Sequence, residues 1–257
     1  MSKPRVLILR APGANCDEET QFAFEQAGAV AERMHINRLR ENPKVLLQYQ
    51  IMTIPGGFTY GDDVAAGKIL AVQLQHFLGE ILRQFRDRER LILGICNGFQ
   101  TLLKAGLIVP PDLDEGPVVT LAHNTSGKFE DRWIHLEATP GKCPFLQGYQ
   151  RLHLPIAHGE GRVVCAQDWI LKGLIQAGQA VLRYVSSDGR AGSYPINPNG
   201  SQGDIAGLCD ATGRVLGLMP HPERHVLGTQ HPQWTRLGLA EEGDGLRLFH
   251  NAVAYFK

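Results

Sequence analysis

The chain contains one short segment where a buried-strand pattern changes into a helix pattern across a single cysteine. Leu91 to Leu93 form an apolar run, and Asn97 to Lys104 carry the pattern of a helix. Cys96 lies between them, with a glycine two positions before it and another two positions after it. Small neighbours permit the strained strand-to-helix turn of a nucleophile elbow, and a helix N-terminus favours the thiolate. The segment therefore predicts that Cys96 projects from the end of a strand in an α/β fold.

A second segment carries the groups that a cysteine nucleophile needs. Arg214 to Met219 has the pattern of a strand, and His221 and Glu223 follow it with Pro222 between them. Residues two apart in extended chain project to the same side, so we expect Glu223 to hydrogen-bond the His221 ring. For each segment taken separately there is an alternative: Cys96 would be an inert buried cysteine, and His221 and Glu223 would be a solvated loop pair. The presence of both segments in one α/β chain favours a catalytic triad of Cys96, His221 and Glu223.

Short apolar runs alternate with amphipathic stretches in the first half of the chain. Strands are predicted at 6–9, 29–34 and 51–54, and helices at 18–27 and around 71–85. This alternation is typical of parallel βαβ units, so we expect a doubly wound, mostly parallel sheet. After the elbow helix the period shortens, and several strands are expected to pair antiparallel, at 118–122, 133–138, 152–157 and 181–185. Helices near 169–176 and 245–256 complete one predicted domain over residues 1–257.

Composition argues against several classes of function. Lys plus Arg and Asp plus Glu both number 26, so the excess of positive charge typical of a nucleic-acid binder is absent. The five cysteines include no Cys-x-x-Cys pair, which argues against a zinc ribbon or a disulfide framework and favours a reducing compartment. The apolar stretch Val6 to Leu9 is too short for a signal peptide or a membrane span. We therefore expect a cytoplasmic enzyme that binds neither nucleic acid nor membrane.

The sequence gives no indication of a bound cofactor. His221 and His225 are four apart, a spacing that suits two metal ligands on a helix, but Pro222 lies between them and no third ligand is close in sequence. The Gly-x-x-x-x-Gly-Lys-Ser/Thr pattern of a P-loop is also absent. We expect neither a metal nor a nucleotide to be bound by this chain.

Three blocks together resemble the class I, or triad-type, glutamine amidotransferases. They are Ile54-Pro55-Gly56-Gly57-Phe58, the elbow around Cys96, and Pro220-His221-Pro222-Glu223. Five further blocks are similar to the glutaminase subunits of phosphoribosylformylglycinamidine synthase, an enzyme of purine biosynthesis. These blocks are Gly13-Ala14-Asn15-Cys16-Asp17, the continuation from Gly56 to Asp62, and the runs 123–129, 155–162 and 197–201.

The resemblance implies a flavodoxin-like fold and a definite reaction. Cys96 would attack the side-chain amide of glutamine, and hydrolysis of the resulting thioester would give glutamate and ammonia. His221 would move the protons and Glu223 would orient it. The resemblance also implies that the backbone amides of Gly57 and Asn97 form the oxyanion hole. For the Pro-Gly-Gly loop, a tight turn that needs glycine only for steric reasons is the alternative.

Four residues are candidates for contact with glutamine. Gln100 lies one helical turn after Cys96, on the same face of the helix, and resembles the glutamine-contacting residue of the family. Asn124 and Ser126 are implied as polar contacts and Phe129 as a wall of the pocket. The alternatives are ordinary solvation of a helix surface for Gln100 and a strand-connecting turn for the other three.

The resemblance also implies partner subunits. A large synthetase subunit would use ATP and magnesium to activate formylglycinamide ribonucleotide, and ammonia made here would travel to it within the complex. In several relatives a small third subunit is required as well. The segments Val109 to Gly116 and Gln230 to Glu242 look like additions to the shorter members of the family.

Two other functions remain open at this point. A triad glutaminase that serves pyridoxal phosphate or histidine synthesis would share Cys96, His221 and Glu223. A non-catalytic, redox-responsive α/β protein would use Cys96 differently or not at all, and it would have no need for His221 and Glu223.

Overall fold

The computed structural model describes residues 3–114 and 116–257, so Met1, Ser2 and Glu115, the last within the predicted 109–116 addition, lie outside the described part. Within these ranges the strands are β1 Arg5–Arg10, β2 Val30–His35, β3 Ile51–Ile54, β4 Leu91–Ile95, β5 Val119–Ala122, β6 Glu130–Ala138, β7 Arg151–His158, β8 Arg162–Cys165, β9 Ala180–Val185, β10 Ile205–Cys209 and β11 Val215–Leu218. The α-helices are α1 Asp17–Gln26, α2 Ile36–Glu41, α3 Lys68–Asp87, α4 Asn97–Lys104, α5 Asp168–Gln176, α6 Trp234–Leu237 and α7 Leu246–Ala254. None of these helices is long and apolar enough to cross a membrane.

Nine strands form one mixed sheet in the order β2-β1-β3-β4-β11-β10-β9-β6-β7. The pairs from β2 to β11 are parallel, and the pairs from β11 to β7 are antiparallel. Strands β5 and β8 form a separate antiparallel pair. The predicted α/β fold with strands and flanking helices is confirmed, and the antiparallel half of the sheet is formed by the region where the period shortens.

The central strands are apolar along their whole length because helices cover both faces of the parallel half. Every residue of β3, β4 and β11 is buried. Helix α3 adds a stripe of buried residues at helical spacing, which are Leu70, Ala71, Leu74, Leu78, Ile81, Leu82 and Phe85. This stripe is core packing, as its spacing predicts.

Sequence periodicity does not predict four of the elements, β8, β10, α2 and α6. Strand β10 is buried on both faces, so its sequence Ile-Ala-Gly-Leu-Cys has no polar alternation to mark it. Strand β8 and helices α2 and α6 have only four, six and four residues, respectively. Such short elements carry at most two periods of any pattern.

The carboxyl ends of β3, β4 and β11 lie side by side at one edge of the sheet. Strand β4 pairs with β3 on one side and with β11 on the other, and Ile95 lies opposite Leu218. The Cys96 amide donates to the Leu218 carbonyl at 2.8 Å, which extends the pairing by one residue past the strand. The loops after these three strands therefore meet, and they carry Gly57, Cys96 and His221.

The elbow itself requires glycine on both sides of the cysteine. Cys96 has φ +50° and ψ −104°, a conformation that side chains disfavour. A Cβ on Gly94 would lie 2.7 Å from the Gly98 carbonyl oxygen, and a Cβ on Gly98 would lie 2.0 Å from the Ile54 carbonyl oxygen. Backbone atoms occupy both positions, so the helix can approach β3 and β4 only if both residues lack a side chain.

We expect Gly98→Ala to destabilise the fold by about 1–3 kcal/mol or more, because the new methyl group meets the backbone of β3. Gly79→Ala is the matched control, since Gly79 lies within helix α3 and a Cβ there has no neighbour within 4 Å. This control should be neutral or stabilising by up to about 1 kcal/mol. Urea unfolding of both variants tests this, and equal stabilities would contradict the packing of the elbow.

Candidate active site

Two of the three predicted triad residues are joined by a short hydrogen bond. His221 Nδ1 lies 2.6 Å from Glu223 Oε1, and the two side chains are 2% and 0% exposed. The chain reaches this contact through a 3-10 turn at Pro222–Arg224 and not through the extended segment that the sequence predicts. The Arg224 amide donates to the His221 carbonyl at 3.2 Å, which curls Glu223 back beneath the ring. The carboxylate thus holds the proton on Nδ1.

The other ring nitrogen of His221 is free to move protons. Among the described residues, His221 Nε2 and Glu223 Oε2 are buried and have no hydrogen-bond partner. A Cβ built on Gly56 would lie 2.9 Å from His221 Cε1 and 3.5 Å from Cys96 Cβ. A side chain at position 56 would therefore clash with the imidazole and contact Cys96, so both groups lie beside Gly56. His221 also interacts electrostatically with Cys96, and the structure thus brings the three predicted triad residues together.

Electrostatic interactions favour the charged form of the imidazole. Burial by itself lowers the pKa of His221, but the Glu223 carboxylate and Cys96 outweigh it and raise the pKa well above its ordinary value. A protonated His221 carries one donor on each ring nitrogen, with the Nδ1 donor directed at Glu223, and it interacts electrostatically with the Cys96 sulfur.

The two residues expected to form the oxyanion hole lie next to the nucleophile. Gly57 lines the same pocket as Cys96 and has φ +142°, a conformation open to glycine. Asn97 is the first residue of helix α4, so the helix does not use its N–H. The Asn97 side-chain oxygen accepts from the amide and the hydroxyl of Thr59, at 3.2 Å and 2.6 Å. This contact joins the loop that follows Gly57 to the elbow.

A pocket of about 190 Å³ opens in front of Cys96. Two residues expected to contact glutamine line it, since Gln100 is buried in its wall and Phe129 is 52% exposed at its mouth. The Phe129 ring lies 6.4 Å from that of Phe58, centroid to centroid. The described residues that line the pocket are Gly57, Phe58, Asp62, Ala66, Cys96, Gln100, His123, Phe129, Ala157, His158, Gly159 and Glu160.

The structure places Asn124 and Ser126 outside the lining of this pocket. The Asn124 amide nitrogen donates to the carbonyls of Lys128 and His158, and its oxygen faces His158 Nδ1 at 3.1 Å and the Gly161 amide at 3.1 Å. Ser126 Oγ lies 3.4 Å from Glu130 Oε1 and accepts from the Lys128 amide. Both side chains fold the loop that carries Phe129, so their predicted contact with glutamine stays untested.

His158 forms a neutral part of the pocket wall. The orientation of the Asn124 amide places the His158 proton on Nδ1. Burial, together with the charge of His221, lowers the pKa of His158 to about 3. A second positive charge next to the catalytic histidine is thereby avoided.

Cys16 is a buried second thiol at the site that the catalytic prediction did not include. One ligand atom each from Cys16, His221 and Glu223 lie within 4.8 Å of one another, which is the geometry of a possible metal site. However, an Arg224 Nη2 atom lies 3.1 Å from Cys16 Sγ, and its positive charge opposes a bound cation there. Arg224 also pairs with Glu19 of helix α1 at 2.8 Å. These contacts join the Pro222–Arg224 turn to the start of α1. In the sequence, the family-like block from Gly13 to Asp17, which includes Cys16, was the only feature that pointed to this region.

Comparison with known proteins shows similarity along the whole chain. Residues 3–256 match the model of the CobB/CobQ-like glutamine amidotransferase domain. The chain is 50% identical over 257 residues to phosphoribosylformylglycinamidine synthase subunit PurQ of Dehalococcoides mccartyi, with 99% of this chain and 98% of that protein covered. It is 40% identical over 266 residues to the protein of the same name from Methanococcus maripaludis, with 98% and 97% covered. Among solved structures, that of PurLQS from Thermotoga maritima contains a chain with a TM-score of 0.76 and 31% identity, and both chains are covered completely.

We expect Glu223→Gln to lower the pKa of His221, because burial then acts without the opposing carboxylate. The imidazolium should be lost at a lower pH than in the wild type, and kcat for ammonia release from glutamine should fall by about 10³- to 10⁴-fold. NMR titration of the ring carbons gives the pKa. Glu137→Gln, at an exposed position on β6, is the control. An unchanged or higher pKa of His221 in Glu223→Gln would contradict this account of the site.

Proposed function

The chain belongs to the family of CobB/CobQ-like glutamine amidotransferase domains, and we propose that it is the glutaminase subunit of a phosphoribosylformylglycinamidine synthase. The subfamily follows from the relatives of that name, which are 40–50% identical over nearly their whole length. The observation that carries the catalytic part is the 2.6 Å contact of the buried His221 with Glu223, across Gly56 from Cys96 on its strained elbow.

In the first step we propose that the Cys96 thiolate attacks the side-chain amide carbon of glutamine. A carbon–sulfur bond forms, and the carbonyl electrons move onto oxygen. The backbone amides of Gly57 and Asn97 donate to this oxyanion. The Thr59–Asn97 contacts support this proposal, because they link the loop that carries Gly57 to the elbow.

The second step releases ammonia. His221, protonated on both nitrogens, donates its Nε2 proton to the leaving nitrogen as the carbon–nitrogen bond breaks. Glu223 stabilises the imidazolium before this transfer and keeps the Nδ1 proton in place during it. A glutamyl thioester remains on Cys96.

In the third step water hydrolyses the thioester. His221 Nε2, now unprotonated, takes a proton from the water as the oxygen attacks the carbonyl carbon. The second oxyanion forms at the same amides, and its collapse breaks the carbon–sulfur bond. Glutamate leaves, and Cys96 and His221 return to their starting charges.

Ammonia produced in this way is a substrate for a synthetase. We propose that a large synthetase subunit activates formylglycinamide ribonucleotide with ATP and magnesium and takes the ammonia within a complex. A small third subunit joins it in some members of the family. The T. maritima structure described as PurLQS supports a multi-subunit assembly, because one of its chains matches this one from end to end.

We expect Cys96→Ala to reduce ammonia release from glutamine to background, whereas the wild type releases ammonia faster when the synthetase subunit, formylglycinamide ribonucleotide and magnesium ATP are present. Cys165→Ala, which removes a buried thiol from β8, is the control and should keep its activity. Coupled ammonia and amidine assays measure both products. Undiminished release by Cys96→Ala would contradict the mechanism. Stimulation by a different synthase in place of this one would contradict the pathway.

A further inference from the structure

The pocket in front of Cys96 has an acidic lining. Asp62 and Glu160 both contribute to it, and no lysine or arginine is among its described lining residues. His158 is neutral, and His123 is 82% exposed at the rim. Lys104 lies outside this lining, and burial lowers the pKa of its amine although Glu160 and Asp62 act to raise it. Burial raises the pKa of Asp62. The described lining residues themselves thus offer two carboxyl groups and no lysine or arginine, which favours a positively charged group on the substrate.

The two carboxylates differ in the hydrogen-bond donors that they already have within the protein. Asp62 Oδ1 accepts from the Gly67 amide at 3.2 Å and from the Asn97 side chain at 3.0 Å. Among the described residues, the exposed His123, at 3.7 Å, is the only ion-pair contact of the Glu160 carboxylate within 4 Å, and Lys104 interacts with it electrostatically from farther away. The Glu160 side chain is nevertheless only 20% exposed. A shielded carboxylate without a close donor is suited to receive one from a ligand.

Gln100 sets the position of Glu160 relative to the nucleophile. Its side-chain nitrogen donates to the Glu160 carbonyl at 2.6 Å, and its oxygen accepts from Asn97 at 2.9 Å. The Gln100 amide donates to the Cys96 carbonyl at 3.1 Å, so Gln100 lies one helical turn from the nucleophile. Gln100 therefore ties the backbone of Glu160 to the elbow helix, and Glu160 and Cys96 line the same pocket.

We propose that Glu160 is the receptor for the α-ammonium group of glutamine, held in place by Gln100, and that it makes the pocket selective for the free amino acid. This assignment rests on the proposed glutaminase function. Gln100 is then a positioning residue, because the nitrogen and the oxygen of its side-chain amide are hydrogen-bonded to Glu160 and Asn97, respectively. Asp62 adds a second carboxyl group to the pocket and also accepts a hydrogen bond from Asn97 at the elbow.

Glutaric acid monoamide distinguishes this role from a structural one. It keeps the reacting amide and the carboxylate of glutamine but has hydrogen in place of the α-ammonium group. The wild type should prefer glutamine in kcat/KM for ammonia release by about 10- to 100-fold, the range expected for one charge-assisted hydrogen bond. Glu160→Gln should lose this factor on glutamine and change by less than about 3-fold on the monoamide. Glu160→Asp, which keeps the charge, should recover part of the preference.

The measurement is made on the complex with the synthetase subunit, with Glu137→Gln as a control for removal of a glutamate elsewhere. The inhibition constant of the monoamide against glutamine is determined as well, so that an uncleaved analogue still reports its affinity. Loss of equal size on both substrates, or an unchanged preference in Glu160→Gln, overturns the assignment of Glu160. Absence of Cys96-dependent ammonia release in the wild type would instead overturn the proposed function.

Discussion

The pairing of β4 with β11 is the interaction on which the rest of the site depends. It places Ile95 opposite Leu218, and the Cys96 amide continues the ladder to the Leu218 carbonyl at 2.8 Å. Residues more than a hundred positions apart in sequence thereby become neighbours at one edge of the sheet. A change of register by one residue would turn the side chains of β11 to the opposite face and carry His221 away from the nucleophile.

This framework supports a buried ion pair that would be costly anywhere else. Removing His221 and Glu223 from water carries a desolvation penalty of several kcal/mol for each charge, which only their short contact and the nearby sulfur offset. A second set of polar contacts lies in the same site, and it runs from Thr59 through Asn97 to Gln100 and Glu160. One end of this chain of hydrogen bonds lies at the residues expected to form the oxyanion hole, and the other lies at Glu160 in the pocket. Under the roles proposed above, catalytic geometry and substrate selection share the Asn97 side chain.

Local sequence was enough to predict the elements that carry the triad. Strand β4, helix α4 and the contact of His221 with Glu223 depend on patterns within a few residues, and periodicity or turn chemistry reveals them. The 3-10 turn at Pro222–Arg224 was not predicted, because an extended segment and a tight turn can both bring residues two apart together.

Contacts between distant parts of the chain were beyond the reach of such patterns. Asn124 bonds His158 and Gly161, which lie 34 and 37 positions away, so nothing near Asn124 indicated that its side chain would already be engaged. The contact of Arg224 with Cys16 spans 208 positions. Glu160 lies in the 155–162 run that resembles the glutaminase subunits. Its proposed contact with the substrate, however, depends on its position in the pocket and on the hydrogen bond from Gln100, which the sequence alone does not show.

The central claim is that the acyl intermediate forms on Cys96 and not on the neighbouring thiol of Cys16. Acid quenching during turnover of glutamine, followed by cleavage after lysine and arginine, separates the two, because Cys96 lies in the 91–104 peptide and Cys16 in the 11–33 peptide. We expect a glutamyl adduct on 91–104 alone, and hydroxylamine should remove it as it removes a thioester. An adduct on 11–33, or ammonia release without any adduct on 91–104, would contradict it.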